Sequence, residues 1–153
     1  MTAHGESDKI PQTPTISAAA AYADGDALGG LLTFANAAGW TGGTGRLIDV
    51  EIIDNDNECA AIDLVLFNQT FTAAADNAEF DPSDADMQNC IGHVSIADTD
   101  YASFANNAVA TVRDIWLEVE STTTSIFGQM VIREVKTYTA VDDITVQMGL
   151  SKD

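Results

Sequence analysis

The sequence predicts an all-β fold: an antiparallel two-sheet β-sandwich, jelly-roll-like, with one short helix. Three observations lead there. Several stretches alternate strictly between apolar and polar residues, the period of a strand with one face on a core and one in water. In 46–54, Ile48, Val50 and Ile52 point one way, Asp49 and Glu51 the other; in 59–67, Ile62, Leu64 and Leu66 repeat the pattern with Asp63 outward. About eight such runs recur at even spacing between turn residues, which favours two packed sheets. A chain of 153 residues can bury a single core, and its low aromatic content of 7% with many alanines suits a thin, sheet-shaped one.

In chain order, residues 1–14 are polar and carry Pro11 and Pro14. Proline withholds a ladder donor and biases its neighbour to extended geometry. The segment reads as an extended N-terminal arm, loosely held in the isolated protein, ahead of one domain spanning 15–153. Thr15 to Tyr22 is a short strand, and Asp24-Gly25-Asp26 a turn. Leu28 to Asn36 is a second strand, in which Gly29 and Gly30 mark a bulge or a close approach. Glycines at 39, 42, 43 and 45 make 37–45 a flexible loop around Trp40. The segments 46–54 and 59–67 then read as a hairpin turning on Asp54, Asn55, Asp56 and Asn57.

Residues 68–82 form a polar connection plugged by Phe71 and Phe80. Ser83 is placed to cap a short helix, with Asp84 and Asp86 at its positive end. Strands follow at Ile91–Ile96, Thr111–Glu120, Ile126–Val135 and Ile144–Leu150, and the loop 97–108 is anchored by Tyr101 and Phe104. The expected core is Ile48, Val50, Ile52, Ile62, Leu64, Leu66, Ile115, Leu117, Val119, Ile144 and Val146.

Composition excludes several function classes. There are 24 acidic residues against 6 basic ones, a net charge of −18. Nucleic-acid binding needs Lys and Arg to displace counterions from phosphates, and anionic membrane surfaces need the same charge. Neither nucleic acid nor membrane is expected as a partner. The N-terminus lacks a basic region followed by an apolar one, so synthesis in a cytosol is expected. Cys59 and Cys90 then read as reduced thiols.

No catalytic, cofactor or metal residue is expected. The two histidines are His4, in the arm, and His93, on a strand, and neither neighbours a nucleophile motif. Cys90-x-x-His93 lacks the second pair a zinc site would want. Asp54-x-Asp56-x-Glu58 resembles the opening of a calcium loop, but Cys59 and Val65 occupy the sixth and twelfth positions, where Gly and Glu belong. Gly42-Gly43-Thr44-Gly45-Arg46 lacks the Gly-Lys-Ser/Thr ending of a phosphate loop.

Four stretches carry a resemblance: Gly29-Gly30-Leu31-Leu32-Thr33-Phe34-Ala35-Asn36-Ala37, Ala61-Ile62-Asp63-Leu64-Val65-Leu66-Phe67, Phe80-Asp81-Pro82-Ser83-Asp84-Ala85-Asp86 and Asn107-Ala108-Val109-Ala110-Thr111. Over roughly 15–150 the chain resembles small virion β-sandwich proteins of tailed bacteriophages and prophages, of the capsid cement or decoration type. The resemblance implies a structural virion protein on the capsid exterior, made in the host cytoplasm. Its partners would be the major capsid protein and itself, as a dimer or trimer. Contact is expected through Ile10, Pro11 and Pro14 of the arm and through the loop aromatics Trp40 and Tyr101. A tail or baseplate structural protein and a carbohydrate-binding β-sandwich are the alternative readings.

Overall fold

The computed structural model describes residues 6–152. Chain order is β1 (Glu6–Gln12), β2 (Ala21–Tyr22), β3 (Ala27–Phe34), β4 (Thr44–Asp54), β5 (Ile62–Phe67), α1 (Asp84–Met87), β6 (Cys90–Ile96), β7 (Tyr101–Ser103), β8 (Ala108–Val112), β9 (Leu117–Glu120), β10 (Ile126–Ile132), β11 (Lys136–Thr137) and β12 (Ile144–Lys152). One sheet runs β1-β12-β4-β8-β7, with β9 also paired to β4; the other runs β3-β10-β5-β6; β2 and β11 pair apart. All of these strand pairs are antiparallel. With β1-β12-β4-β8 facing β3-β10-β5-β6, the order is that of a jelly roll, and the all-β sandwich with one short helix stands.

The alternating faces do form the core, but not through the pairing the sequence suggests. β4 lies in one sheet and β5 in the other, so 46–67 is not a hairpin: the chain crosses the sandwich at 55–61. Two half-buried strands meet equally well side by side or face to face, and alternation does not distinguish the two. Val50 and Ile52 of β4 and Ile62, Leu64 and Leu66 of β5 share one buried cluster with Ile144, Val146, Met148 and Leu150 of β12.

A bulge interrupts β4. Gly149 pairs with Asp49 and Leu150 with Leu47, which leaves Ile48 as the extra residue. A bulge re-aims side chains: Leu47 enters the core, and Ile48 is only half-buried. The expected strand Thr111–Glu120 is broken at the same level into β8 and β9. Asp114 and Trp116 there adopt φ of 57° and 53°, and Ile115 N–H donates to Ile48 O at 3.1 Å. Of the residues expected to be buried on that stretch, Val119 is, whereas Ile115 and Leu117 pack only partly on the core. The expected strand Thr15–Tyr22 shrinks to β2.

β10 (Ile-Phe-Gly-Gln-Met-Val-Ile) is buried along its whole length. One face looks into the sandwich. The other lies under the connection 68–82, where Phe71 stacks on Phe67 at 3.9 Å and Phe80 packs beside them. Gln129, fully buried, ties this connection down: its amide donates to Gly29 O at 2.9 Å and Ala74 O at 2.7 Å and accepts from Ala74 N–H at 3.1 Å. Opposite it, β3 spends Gly29, Gly30 and Leu31 against one residue of β10, the irregularity that the paired glycines announced. Gly29 has φ +79°, and a Cβ there would stand 2.5 Å from Pro14 Cβ. Ser83 caps α1 by accepting from Asp86 N–H at 3.1 Å.

The expected arm is corrected most. Residues 6–12 are the edge strand β1, paired in register with β12 from Glu6↔Lys152 to Gln12↔Val146. Ile10 packs against the core. Seven apolar or main-chain pairings with a central strand repay the ordering cost that a free arm would not. Residues 1–5 of the arm lie outside the described residues.

Two outcomes are expected of stability measurements. Val50→Asp should cost more than about 4 kcal/mol, since it buries an unpaired charge, while Ile48→Asp at the bulge should cost about 1 kcal/mol; equal melting temperatures for the two would overturn the register. Deleting residues 2–14 should lower the melting temperature by roughly 5–15 °C, the equivalent of about 2–4 kcal/mol in a domain of this size. An unchanged melting temperature would show that β1 contributes nothing to the free domain.

Candidate functional site

The interior acids are spent on structure, while the buried hydroxyls of Tyr101 and Tyr138 have no hydrogen-bond partner among the described residues. At the crossing between sheets, Asp54 is fully buried. Its Oδ1 accepts from Asp56 N–H at 2.9 Å and its Oδ2 from Cys59 N–H at 2.8 Å. Burial pushes its carboxyl above the usual carboxylate range, against the pull of the N–H groups of Cys59, Asp56, Glu58 and Asn57. Asp56 accepts from the Thr139 hydroxyl at 2.9 Å, and Asp143 from Ala140 N–H at 2.7 Å. Asp54 and Asp56 of the calcium-like stretch therefore face backbone and hydroxyl donors, and Glu58 lies 3.8 Å from the Lys136 ammonium. Among the described residues, no three His, Cys, Asp or Glu side chains converge in an arrangement able to hold a metal ion.

Asp76 does similar work in the connection 68–82. It accepts from Tyr22 Oη at 2.6 Å, Gly29 N–H at 2.7 Å and the Ser17 hydroxyl, and so pins the connection 68–82 over the edge of β3. Ala27 N–H→Ala78 O at 2.8 Å and Asn77 N–H→Ala27 O at 2.9 Å complete that cover. The sequence groups Asp76 with Glu79, Asp81, Asp84 and Asp86 ahead of and within a helix start and gives no sign of this role, because an acid in a polar loop carries no periodic signal. Gln129 was legible as the one polar residue of an apolar run.

The residues expected to bind a partner separate. Ile10 and Pro11 lie on β1, and Pro14 packs against Gly29. A proline and Lys9 on an edge strand discourage further strand addition, so β1 protects an edge instead of seeking one. Tyr101 is not a surface aromatic: it is packed on the core, with burial first and Asp54 second raising its hydroxyl far above its ordinary pKa.

Trp40 is exposed, at 53% of its surface, and the loop that carries it is not slack. Ala38 N–H donates to Thr124 O at 3.1 Å, Gly42 N–H to Thr123 O at 3.1 Å, and Ser121 N–H to Gly43 O at 3.2 Å. The buried Ser121 hydroxyl donates to Ser125 O and accepts from Thr123 N–H at 3.0 Å, which stiffens the supporting turn. Gly43 N–H closes on Trp40 O at 2.8 Å, and a Cβ on Gly43 would stand 2.1 Å from Ala38 O, so only glycine fits. The glycines that read as flexibility instead permit a tight, fixed turn. This glycine-rich stretch spends its amides internally. The start of β1 and the end of β12 also lie at this end of the sandwich, since Glu6 and Gly45 both pair with Lys152.

The surface around these features is acidic with little free positive charge. Lys9 lies near Asp49 and Glu51, Arg46 near Glu118, Arg133 near Asp63 and Asp24, Lys136 near Glu58 and Glu134, and Lys152 near Asp8. Arg113 forms no ion pair among the described residues. His93 is exposed on β6, beside a groove of about 280 Å³ that it lines with Cys90. Cys59 and Cys90 are both unpaired and half-buried. No helix is long and apolar enough to cross a membrane among the described residues.

Comparison with family models, with curated proteins and with solved structures finds no match to this chain.

The Asp54 corner generates a pH dependence. A folded pKa above the unfolded one means that the folded state holds this proton more tightly; the stability it contributes is full below the ordinary carboxylate range and is lost as pH rises through the raised value. Asp54→Asn removes this dependence and leaves one backbone N–H without its acceptor, a cost of about 1–3 kcal/mol. The difference in unfolding free energy, wild type minus variant, should therefore widen as pH falls from about 7 towards 4. A difference that is flat or narrows on acidification would mean that the N–H groups outweigh burial.

Proposed function

We propose that this chain is a structural virion protein of a tailed phage, a capsid cement or decoration protein that binds the outer surface of the head, contacts the major capsid protein and assembles with itself as a dimer or trimer. The observation that carries the reading is Trp40: a large indole left in water on a loop whose every turn is hydrogen-bonded. Fixing an apolar side chain in solvent offers the free molecule nothing; a partner that buries it gains area without an ordering cost. Tryptophan is the residue type most enriched among energetic anchors of protein interfaces. Jelly rolls serve viral capsids among other roles, and a chain whose interior acids and amide bind its own backbone has surface, not a reaction site, to offer. The net charge of −18 suits a position facing outward, away from packaged nucleic acid. The resemblance of 29–37, 61–67, 80–86 and 107–111 to virion proteins of this kind points the same way.

A second reading draws on the same exposure. Trp40 and Trp116 both stand in solvent, and stacking against sugar rings would use them, so a carbohydrate-binding module is the alternative from another class.

Purified heads lacking the protein, separated tails and a glycan panel test these readings together. The intact chain should co-sediment with heads, and Trp40→Ala should weaken that binding about thirtyfold or more, as loss of an anchor tryptophan does. Binding to tails instead of heads would move the protein to the tail or baseplate. Glycan binding lost in the same variant, with no binding to heads, would replace the virion reading.

A further inference from the structure

The interruption between β8 and β9 carries a second exposed indole that the Trp40 end does not explain. Trp116 is exposed over 57% of its surface and has φ 53°; Asp114, two residues before it, has φ 57°. A bulky residue in the left-handed region is strained, and such strain persists only where the surroundings impose it. Here the bulge of β4 imposes it, through Ile115 N–H on Ile48 O. Arg113, exposed on the same four-residue projection, is the one basic side chain with no ion pair among the described residues. The projection thus pairs a fixed indole with a free guanidinium, the two side chains that most often anchor interfaces.

The groove beside β6 has the complementary character. It holds about 280 Å³ on the outer face of the four-stranded sheet. Val65 and Gly92 are among its floor residues, Phe80 and Met87 stand along it, and Met87 is left 44% exposed on α1. Its cation, Arg133, is neutralised by Asp63 at 2.7 Å. Asp81 and Asp84, both exposed, adjoin Phe80 and Met87 along α1 and its approach. An apolar slot beside carboxylates that form no ion pair among the described residues fits an indole carried next to a guanidinium, and methionine adapts its shape to what enters.

We infer that the Arg113–Trp116 projection of one copy docks in the Val65–Phe80–Met87 groove of a second copy. The inference rests only on the self-assembly in the function proposed above and needs no capsid. The overall negative charge opposes association, but at 0.15 M salt the screening length is about 8 Å, so the charges at the contact decide the outcome. There the contact sets Arg113 against Asp81 and Asp84. Because knob and groove are different surfaces of the chain, each copy carries one of each.

The test is sedimentation of the full chain over a wide concentration range, with Trp116→Ala and Met87→Glu, both at exposed positions and both checked for unchanged melting. The wild type should associate, and each variant should weaken association about thirtyfold or more. An equimolar mixture of the variants retains one intact knob, on the Met87→Glu chain, and one intact groove, on the Trp116→Ala chain. It should recover dimers that neither variant forms alone. A wild type that stays monomeric, a variant that associates as tightly as the wild type, or a mixture that stays monomeric would each overturn the inference. Because heads are not involved, failure here leaves the head-binding experiment to stand or fall separately.

Discussion

A buried carboxylate sits where the chain leaves one sheet for the other, and the sandwich depends on it. Between β4 and β5 the backbone has to reverse across the core, leaving several N–H groups without ladder partners. An unpaired buried N–H costs about as much as a lost hydrogen bond. Asp54 collects these donors at a single point, and Asn57 and Cys59 take positive φ to bring them within reach. Asn55 N–H→Asp143 O at 2.8 Å and the Asp56–Thr139 bond then tie this corner to the approach of β12. The segment that crosses between the sheets and the strand that lies between β1 and β4 in the larger one are thereby located by the same few polar atoms. The arrangement costs a desolvated charge, which the acidic surface does nothing to relieve.

Which faces are buried was legible in the sequence; which strands are neighbours was not. Period-two alternation reports a face, so Val50, Ile52, Leu64 and Val146 are where the pattern puts them. Pairing depends on which edges meet, and the four residues Asp54, Asn55, Asp56 and Asn57 have the composition of a hairpin turn while opening a sheet-to-sheet crossing. Ile48 misleads for a related reason: a bulge adds one residue to the count, and every alternation N-terminal to it changes side. The segment 6–12 looked unstructured because an edge strand needs only one apolar side chain, Ile10, when its main chain pairs along its length. Glycine-rich 37–45 looked loose because glycine serves flexible loops and tight turns alike; the partners in 121–125 that decide between them are about eighty residues away in the chain.

The same logic applies to the candidate contacts. Tyr101 and Trp40 are both aromatics in loops, and sequence alone gives them equal standing. The structure separates them by what supports them: Tyr101 is packed against the core, whereas Trp40 is held out in solvent by a hydrogen-bonded turn. Charge patterning was more informative than any single residue. With five of the six bases beside acids, the acidic surplus reaches nearly the whole surface, and any docking surface has to be built from exposed apolar side chains within it.

The pairing of β1 and β4 on either side of β12 has a consequence for synthesis. β12 follows in the chain every strand it joins, so while the chain is being made the larger sheet has a gap where its central strand belongs. The smaller sheet is complete once β10 has emerged, but β1 has no partner until β12 arrives more than a hundred residues later. Contacts of such long separation form slowly, because loop closure precedes any gain from them. The nascent chain therefore carries the apolar inner faces of β4 and β5 without their cover through most of translation. Its high negative charge, which adds nothing to the folded core, keeps neighbouring nascent chains apart during that interval.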